Sequence, residues 1–479
     1  MITRLRIQNF KTWKDTKSLR LAPITIFFGG NSSGKSSIGQ FLLMLRRTVE
    51  QPDRNMVFST TDDQNLMHLG GYSEYVFDGE TERDVVFELG WDCVEIKHLL
   101  DRRHSKRRSW TRMDFHAKVG RLAESERVVS KEFHYVLPEP LMRLVSSDGI
   151  ARSKRMPELR AGMQRTEAGE KYRLITQDYE ATRNPGRAWS LPRPNRFYGF
   201  PEELYSYYRN VSGFSGLQLE FERMLKSIQY LGPLRQYPKP SYTWAGQAPS
   251  DVGFQGENTV AALLAGAEKR FNTGGKARYK PLQAVVARWL VQLGVAEDFE
   301  VECAAKATHT YRTMLTMPGQ KRSVTLPSVG FGVSQVLPVV TQAFYAPPHS
   351  TIIIEQPELH LHPKVQSELA DLFIEAIHSK ESSIERKVQF VIESHSEHFL
   401  RRLQLRVAQG ELKSDEIAVY FCESPKDDSG SGIRPLEVDD YGRIKNWPKN
   451  FFGDPMMDIA EMRKAGITRQ ISKGTGARA

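Results

Sequence analysis

ITIFFGGNSSGKSSIGQFLLMLRR, residues 24 to 47, is the stretch that decides the fold. An apolar, β-prone run at 24 to 28 stops at paired glycines. Gly29 to Ser36 then spell GxxxxGK[ST], and helical spacing begins at Ser37. Strand, loop and helix follow in the order a phosphate-binding loop requires. Gly29, Gly30 and Gly34 let the backbone curl so that several N–H groups point at an anion, reinforced by the positive end of the next helix. Lys35 is placed to reach β- and γ-phosphates, and Ser36 to set its hydroxyl on Mg²⁺. The candidate cofactors are ATP and Mg²⁺. The candidate contacts are Gly29, Gly30, Asn31, Ser32, Ser33, Gly34, Lys35, Ser36 and Ser37.

The 479 residues suffice for a large core and two or three domains, and 40% hydrophobic with 26% charged content is ordinary for a globular chain. A net charge of +10 favours an anionic partner, nucleic acid ahead of a membrane. Cys93, Cys303 and Cys422 are scattered with no CxxC pair, which argues against a disulfide framework or a cysteine zinc site. No apolar run is long enough to span a bilayer, and MITRLRIQNFKTW alternates like a strand rather than a signal peptide. The expected location is cytoplasmic.

Three later stretches extend the phosphate-site reading. LPSVGFGVSQVLPVVTQAF, residues 326 to 344, is a glycine-bearing loop entering an apolar helix, where Gly330, Gly332 and Ser334 can face an anion. TIIIEQPELHLHP, residues 351 to 363, delivers Glu355, Gln356 and Glu358 from a buried strand. VQFVIESHSEHFLRRL, residues 388 to 403, places His395 at a third strand's carboxyl end, where ligands bind in open α/β sheets. Between the loop and these stretches the composition turns basic. Residues 101 to 121 and 151 to 165 are dense in Arg and Lys, and 183 to 215 are rich in Pro, Gly, Tyr and Arg. No heptad pattern or internal repeat marks a coiled-coil arm. Trp110, Trp189, Tyr198, Tyr205, Tyr207 and Tyr208 interleaved with these cations could stack bases, or the region could be a solvated basic face over a small core.

The order of phosphate loop, VGFGVSQ, EQPELHLHP and ESHSEHFLRR resembles the ABC-type ATPase heads of the RecF, SMC and overcoming-lysogenisation-defect group. It is nearest in pattern to stand-alone bacterial AAA ATPases of anti-phage defence systems. The resemblance covers residues 1 to 90 and 226 to 420, with YLGPLR (230 to 235) and NWPKNFF (446 to 452) similar to stretches in one branch. It implies an α/β head with a mixed sheet flanked by helices, interrupted by a basic insertion. The implied parts are 1–90 and 226–420 for the head, 91–225 for the insertion and 421–479 for a C-terminal extension. It further implies a homodimer or higher homo-oligomer around ATP, with VGFGVSQ received from a second subunit. Glu355 would lie near Mg²⁺, His395 would sense the γ-phosphate, and Gln229 or Gln236 would contact the metal. The anionic partner would be nucleic acid held by the insertion, and the process DNA-linked.

Two positions depart from the group's pattern. Gly330, Phe331 and Gly332 replace a serine followed by paired glycines, leaving Ser328 or Ser334 as the nearby hydroxyls. Glu355-Gln356 stands where Asp-Glu is usual; Gln356 cannot accept a proton but can orient a water, and Glu358 offers a second carboxylate, so slow hydrolysis is expected. His360 and His362 form an HxH pair without a third ligand, which favours structure or interface over a metal site. After the last head strand about sixty residues remain, too few for the TOPRIM nuclease of some relatives, so a nuclease would be a separate protein effector. The competing readings are an ATP-gated scaffold with negligible turnover and a RecF-like repair ATPase.

Overall fold

The computed structural model describes residues 1–61, 68–97, 109–122, 125–138, 141–145, 151–155, 158–167, 170–186, 189–274, 278–425, 430–448 and 462–465. The chain adopts the expected α/β class, with a mixed sheet flanked by helices. The strands Ile228–Leu231, Thr351–Glu355, Gln389–Glu393, Ile24–Gly29 and Ile417–Glu423 lie side by side and parallel in that order, and Gly432–Leu436 adds an antiparallel edge. Their near-continuous apolar runs suit strands covered on both faces.

The period-two alternation of a strand sends successive side chains to opposite faces. Phe27, Ile353, Val391 and Tyr420 join the core under the helix Lys35–Glu50. Ile26, Phe28, Ile352, Ile354, Phe390 and Ile392 join a second core under the helices Leu282–Gln292, Phe331–Tyr345, Pro363–His378 and Glu397–Ala408. Each helix after a strand runs back across the sheet, so loops and helix N-termini collect at the strands' carboxyl edge.

The first core is closed by an eight-stranded antiparallel sheet. Its path is Tyr172–Gln177, Leu159–Arg165, Ser125–Leu137, Ser109–Leu122, Val85–Lys97, Ile2–Phe10 and Trp13–Asp15, with Leu19–Arg20 also on Ile2–Phe10. The inner face reads Phe87, Leu89 and Trp91, then Met113, Phe115 and Ala117, then Phe133, Tyr135 and Leu137, all buried. Position 90 falls inside Val85–Lys97, so strands from the basic region extend the sheet that the N-terminal strand begins. One buried amide ties the two sheets. Gln389 Oε1 accepts from Ile2 N–H and the Thr351 hydroxyl, and its Nε2 donates to Ile2 O and Ala22 O.

Arg386 closes the helix Phe331–Tyr345. It is wholly buried, with Nη1 donating to Ala343 O at 2.9 Å and Nη2 to Phe344 O at 3.0 Å and Ala346 O at 2.7 Å. Those carbonyls at a helix C-terminus have no partner in the helix itself. Arg386→Met should cost about 2–4 kcal/mol. Three orphaned carbonyls at about 1–3 kcal/mol each outweigh the desolvation penalty that leaves with the guanidinium. Urea unfolding checks the value, and Arg386→Lys should recover little because one ammonium cannot reproduce the fork.

Candidate functional site

The phosphate loop sits where the strand Ile24–Gly29 ends and the helix Lys35–Glu50 begins. Two glycines are needed for geometric reasons. Gly29 has φ 147 and a Cβ there would lie 2.2 Å from Cys422 O, while Gly34 has φ 88 and its Cβ would meet Thr12 Oγ1 at 2.5 Å. Trp13 Nε1 donates to Gly34 O at 3.0 Å, and the Ser33 hydroxyl to Gly30 O at 2.9 Å, so the loop is braced from both ends. Gly30, Asn31 and Ser32 form its exposed crest, with Ser32 at φ 61. Lys35 is buried and its Nζ donates to Gly30 O at 2.7 Å and Gly29 O at 3.2 Å. Ser36 stands at the helix start and Ser37 is buried behind it.

Three buried carboxyls gather beside this loop. Glu355 ends its strand in register with Glu393, which in turn is in register with Phe27 on the loop's strand. Ser36 Oγ donates to Glu393 Oε2 at 2.7 Å, and Lys35 Nζ lies 3.8 Å from Glu393 Oε1. Tyr230 donates its hydroxyl to Glu355 Oε1 at 2.7 Å. Burial, then repulsion from Glu393, pushes the Glu355 carboxyl up to about 7, against the pull of Tyr230, Arg235 and Lys11. Burial also raises Glu393, against Ser36 and Lys35. Glu358 Oε1 accepts His395 N–H at 2.6 Å, its Oε2 has no protein partner, and burial raises it too. His395 is exposed, with its imidazole pulled below its ordinary value by partial burial and then by Lys35.

Buried carboxyl oxygens beside a phosphate loop are the donor type a hard divalent cation takes, with Lys35 and Arg235 as the cations already close by. Among the described residues no three His, Cys, Asp or Glu side chains cluster as a ligand set, so the ion would need phosphate and water oxygens as well. Mg²⁺ binds in that way, through one or two protein groups plus substrate phosphates. Glu393, absent from the sequence expectations, is the acid that accepts from Ser36, the serine expected to hold Mg²⁺. The same signal that singled out Glu355, an apolar strand ending in Glu, precedes Ser394.

Other expected positions are placed as follows. Gln356 is partly exposed at φ 46, its N–H donating to Glu393 O at 2.8 Å. Gln229 lies on the far side of its strand from Tyr230, pairing with Gln342 and donating to Ser250 O, so it does not face the acids. Gln236 is partly exposed beyond that strand. Gly330 caps the helix Phe331–Tyr345 in the open, with Gly332 in its first turn; Ser328 is exposed and Ser334 is buried. The HxH pair does not share a strand face. The strand ends at Glu355, His360 is in a turn at φ 62, and His362 caps the next helix by accepting Lys364 N–H.

The basic cluster Arg102, Arg103, Lys106, Arg107 and Arg108 lies outside the described residues, as does most of NWPKNFF. Trp110 and Tyr198 are buried in the first core and cannot stack on a base, a correction to the aromatic set; Trp189 and Tyr205 are exposed. A cleft of about 1080 Å³, lined among others by Met1, Pro23, Ser227, His349 and Val388, opens at the strands' amino edge. It is the wrong end of the sheet for phosphate chemistry, which follows the carboxyl edge. No described helix is long and apolar enough to cross a membrane.

Residues 257–401 match the family described as "AAA domain, putative AbiEii toxin, Type IV TA system". Residues 412–462 match one described as "Protein of unknown function (DUF3696)". No curated protein matches the chain. Among solved structures, the chain is similar to an SMC head bound to the C-winged helix domain of ScpA. The identity is 10%, 91% of this chain and 98% of that one are covered, and the TM-score is 0.43. It is also similar to the SMC head domain from Thermotoga maritima, at 10% identity, 91% and 99% coverage and a TM-score of 0.38. A third is the Smc head domain with an extended coiled coil bound to the C-terminal domain of ScpA derived from Pyrococcus furiosus, at 10% identity, 97% and 99% coverage and a TM-score of 0.39.

Proposed function

We propose that this chain binds ATP with Mg²⁺ at the 29–36 loop, hydrolyses it slowly, and forms a homodimer or higher homo-oligomer around the nucleotide. The observation that carries this reading is Ser36 donating to Glu393 at 2.7 Å with Lys35 beside it, a loop, hydroxyl and acid assembled at one sheet edge. When bound, the magnesium ion would add to the positive charge that Lys35 and Arg235 already set beside Glu393 and Glu355. Lys35 can turn its ammonium from Gly29 O and Gly30 O to phosphate oxygens, Ser36 hold the cation, and Gln356 or Glu358 position or deprotonate the attacking water. Exposed Gly330, with the helix N-terminus behind it, is the group we assign to the second subunit's nucleotide. We place the protein in the cytoplasm, as sensor or motor in a DNA-linked process such as anti-phage defence. A separate protein effector, such as a nuclease, would act with it, and nucleic acid would be bound by the basic region.

Lys35→Ala tests the core of this reading. It should weaken binding of mant-ATP about 10–100-fold, the loss of one or two charge-assisted bonds to phosphate, and abolish any ATP-dependent increase in sedimentation. Identical sedimentation of wild type and variant, with and without ATP, would remove the nucleotide-held dimer. Gln356 favours a second reading, an ATP-gated scaffold that does not turn over, because it stands where a proton acceptor is usual. Wild-type phosphate release no faster than that of Lys35→Ala would select it.

A further inference from the structure

A buried arginine lies beneath the acid-bearing turn. Arg235 follows the strand Ile228–Leu231 and is 8% exposed. Its Nη2 donates to Glu355 O at 3.3 Å, while Nε and Nη1 are buried without a protein partner. Burial pulls the guanidinium down to about 10, against the charges of Tyr230, Glu355 and Glu358 that favour it. Hiding an arginine with two unpartnered donors is costly, and such groups concentrate where function demands them.

The peptide joining Glu355 to Gln356 is what this arginine holds. The carbonyl of that peptide accepts from Arg235, and its N–H donates to Glu393 O at 2.8 Å. Both polar ends of one peptide plane are therefore fixed. The plane's orientation keeps Gln356 at φ 46, a left-handed conformation that costs a residue with a side chain on the order of 1 kcal/mol. From there the chain turns through Pro357 and brings Glu358 to His395 N–H.

We propose that Arg235 is a positioning residue for ATP hydrolysis, clamping the Glu355–Gln356 peptide and so aiming Gln356 and Glu358 at the attacking water. The proposal rests on the hydrolysis reading above. It separates two duties at one turn: the N–H half of the peptide is held by the neighbouring strand, and the C=O half by a side chain from the segment that follows the strand Ile228–Leu231. A charged fork suits the second duty because it fixes the carbonyl's direction and also opposes the negative charge of Glu355 and Glu358.

The experiment is rapid-quench single turnover with radiolabelled ATP, alongside mant-ATP affinity and thermal melts. Arg235→Met should slow hydrolysis about 10–100-fold, the scale of a small misplacement at a reacting centre, while affinity stays within about threefold. Arg235→Lys, which keeps charge and one donor, should fall between the two. In a Gln356→Ala/Glu358→Gln background, Arg235→Met should change the residual rate less than about threefold, because the groups it aims are gone. Parallel loss of affinity and rate overturns the proposal, as does an undiminished effect in that background. If Arg235→Met melts below the assay temperature, Arg235→Lys decides: a wild-type rate overturns the proposal. Wild-type turnover with unaffected variants sinks this inference alone, whereas a wild type no faster than Lys35→Ala sinks the hydrolysis reading itself.

Discussion

Glu358→Gln is expected to slow single-turnover hydrolysis by about 10²–10⁴-fold with ATP affinity close to wild type, the usual loss when general acid–base help is withdrawn. Glu358 is 7% exposed, so burial has raised its proton affinity, and a stronger base results. One oxygen accepts the His395 N–H, and the Ser394 hydroxyl also favours the charged form, so the carboxyl is held in place at the end of the turn. Glutamine is nearly isosteric and can still accept from His395 N–H, so the substitution removes proton acceptance more than structure. Gln356→Glu is the complementary variant and should raise turnover by restoring an acid directly after Glu355. Both belong in single turnover, because slow product release would hide the chemistry. If Glu358→Gln hydrolyses normally and Gln356→Glu changes nothing, neither residue is the base, and the scaffold reading gains.

The phosphate-loop edge of this fold was legible because its signals are local. A strand of apolar residues, a glycine loop and a lysine occupy a dozen consecutive positions, and the acids end strands that any periodicity scan finds. The antiparallel sheet was not, although its alternation is written in Phe87, Leu89 and Trp91 and in Met113, Phe115 and Ala117. Its strands run from Ile2 to Gln177, and nothing local reports which partner a strand takes. Composition drew attention to basic surface there, yet Trp110, beyond a register shift in its strand pair, and Tyr198, in a turn, are both buried. Strand parity explains Gln229 as well: Tyr230, one residue on, points to Glu355, so Gln229 must point away. Glu393 was missed because its neighbours Ser394, His395 and Ser396 carry the more familiar pattern.

Removing Glu393 should collapse the magnesium dependence of ATP binding more than ATP binding itself. Its carboxylate accepts from Ser36 and faces Lys35 at 3.8 Å, so in the absence of a cation it repels a polyphosphate and competes with it for the lysine. With a cation present the same charge becomes attractive, because Ser36 and the ion's water shell lie between. Glu393→Ala should therefore lower the ratio of mant-ATP affinities measured in Mg²⁺ and in EDTA by about 10–100-fold, the range found when a group orienting a metal ligand is lost. Affinity in EDTA should hold or rise. Glu393→Gln separates the causes: it keeps an acceptor for the Ser36 hydroxyl but not the charge. If the charge matters, it will behave like Ala; if the hydrogen bond that orients Ser36 matters, it will behave like wild type. An unchanged ratio in both variants would leave Glu355 as the acid that answers to the cation, and would make Glu393 a counter-ion for Lys35 alone.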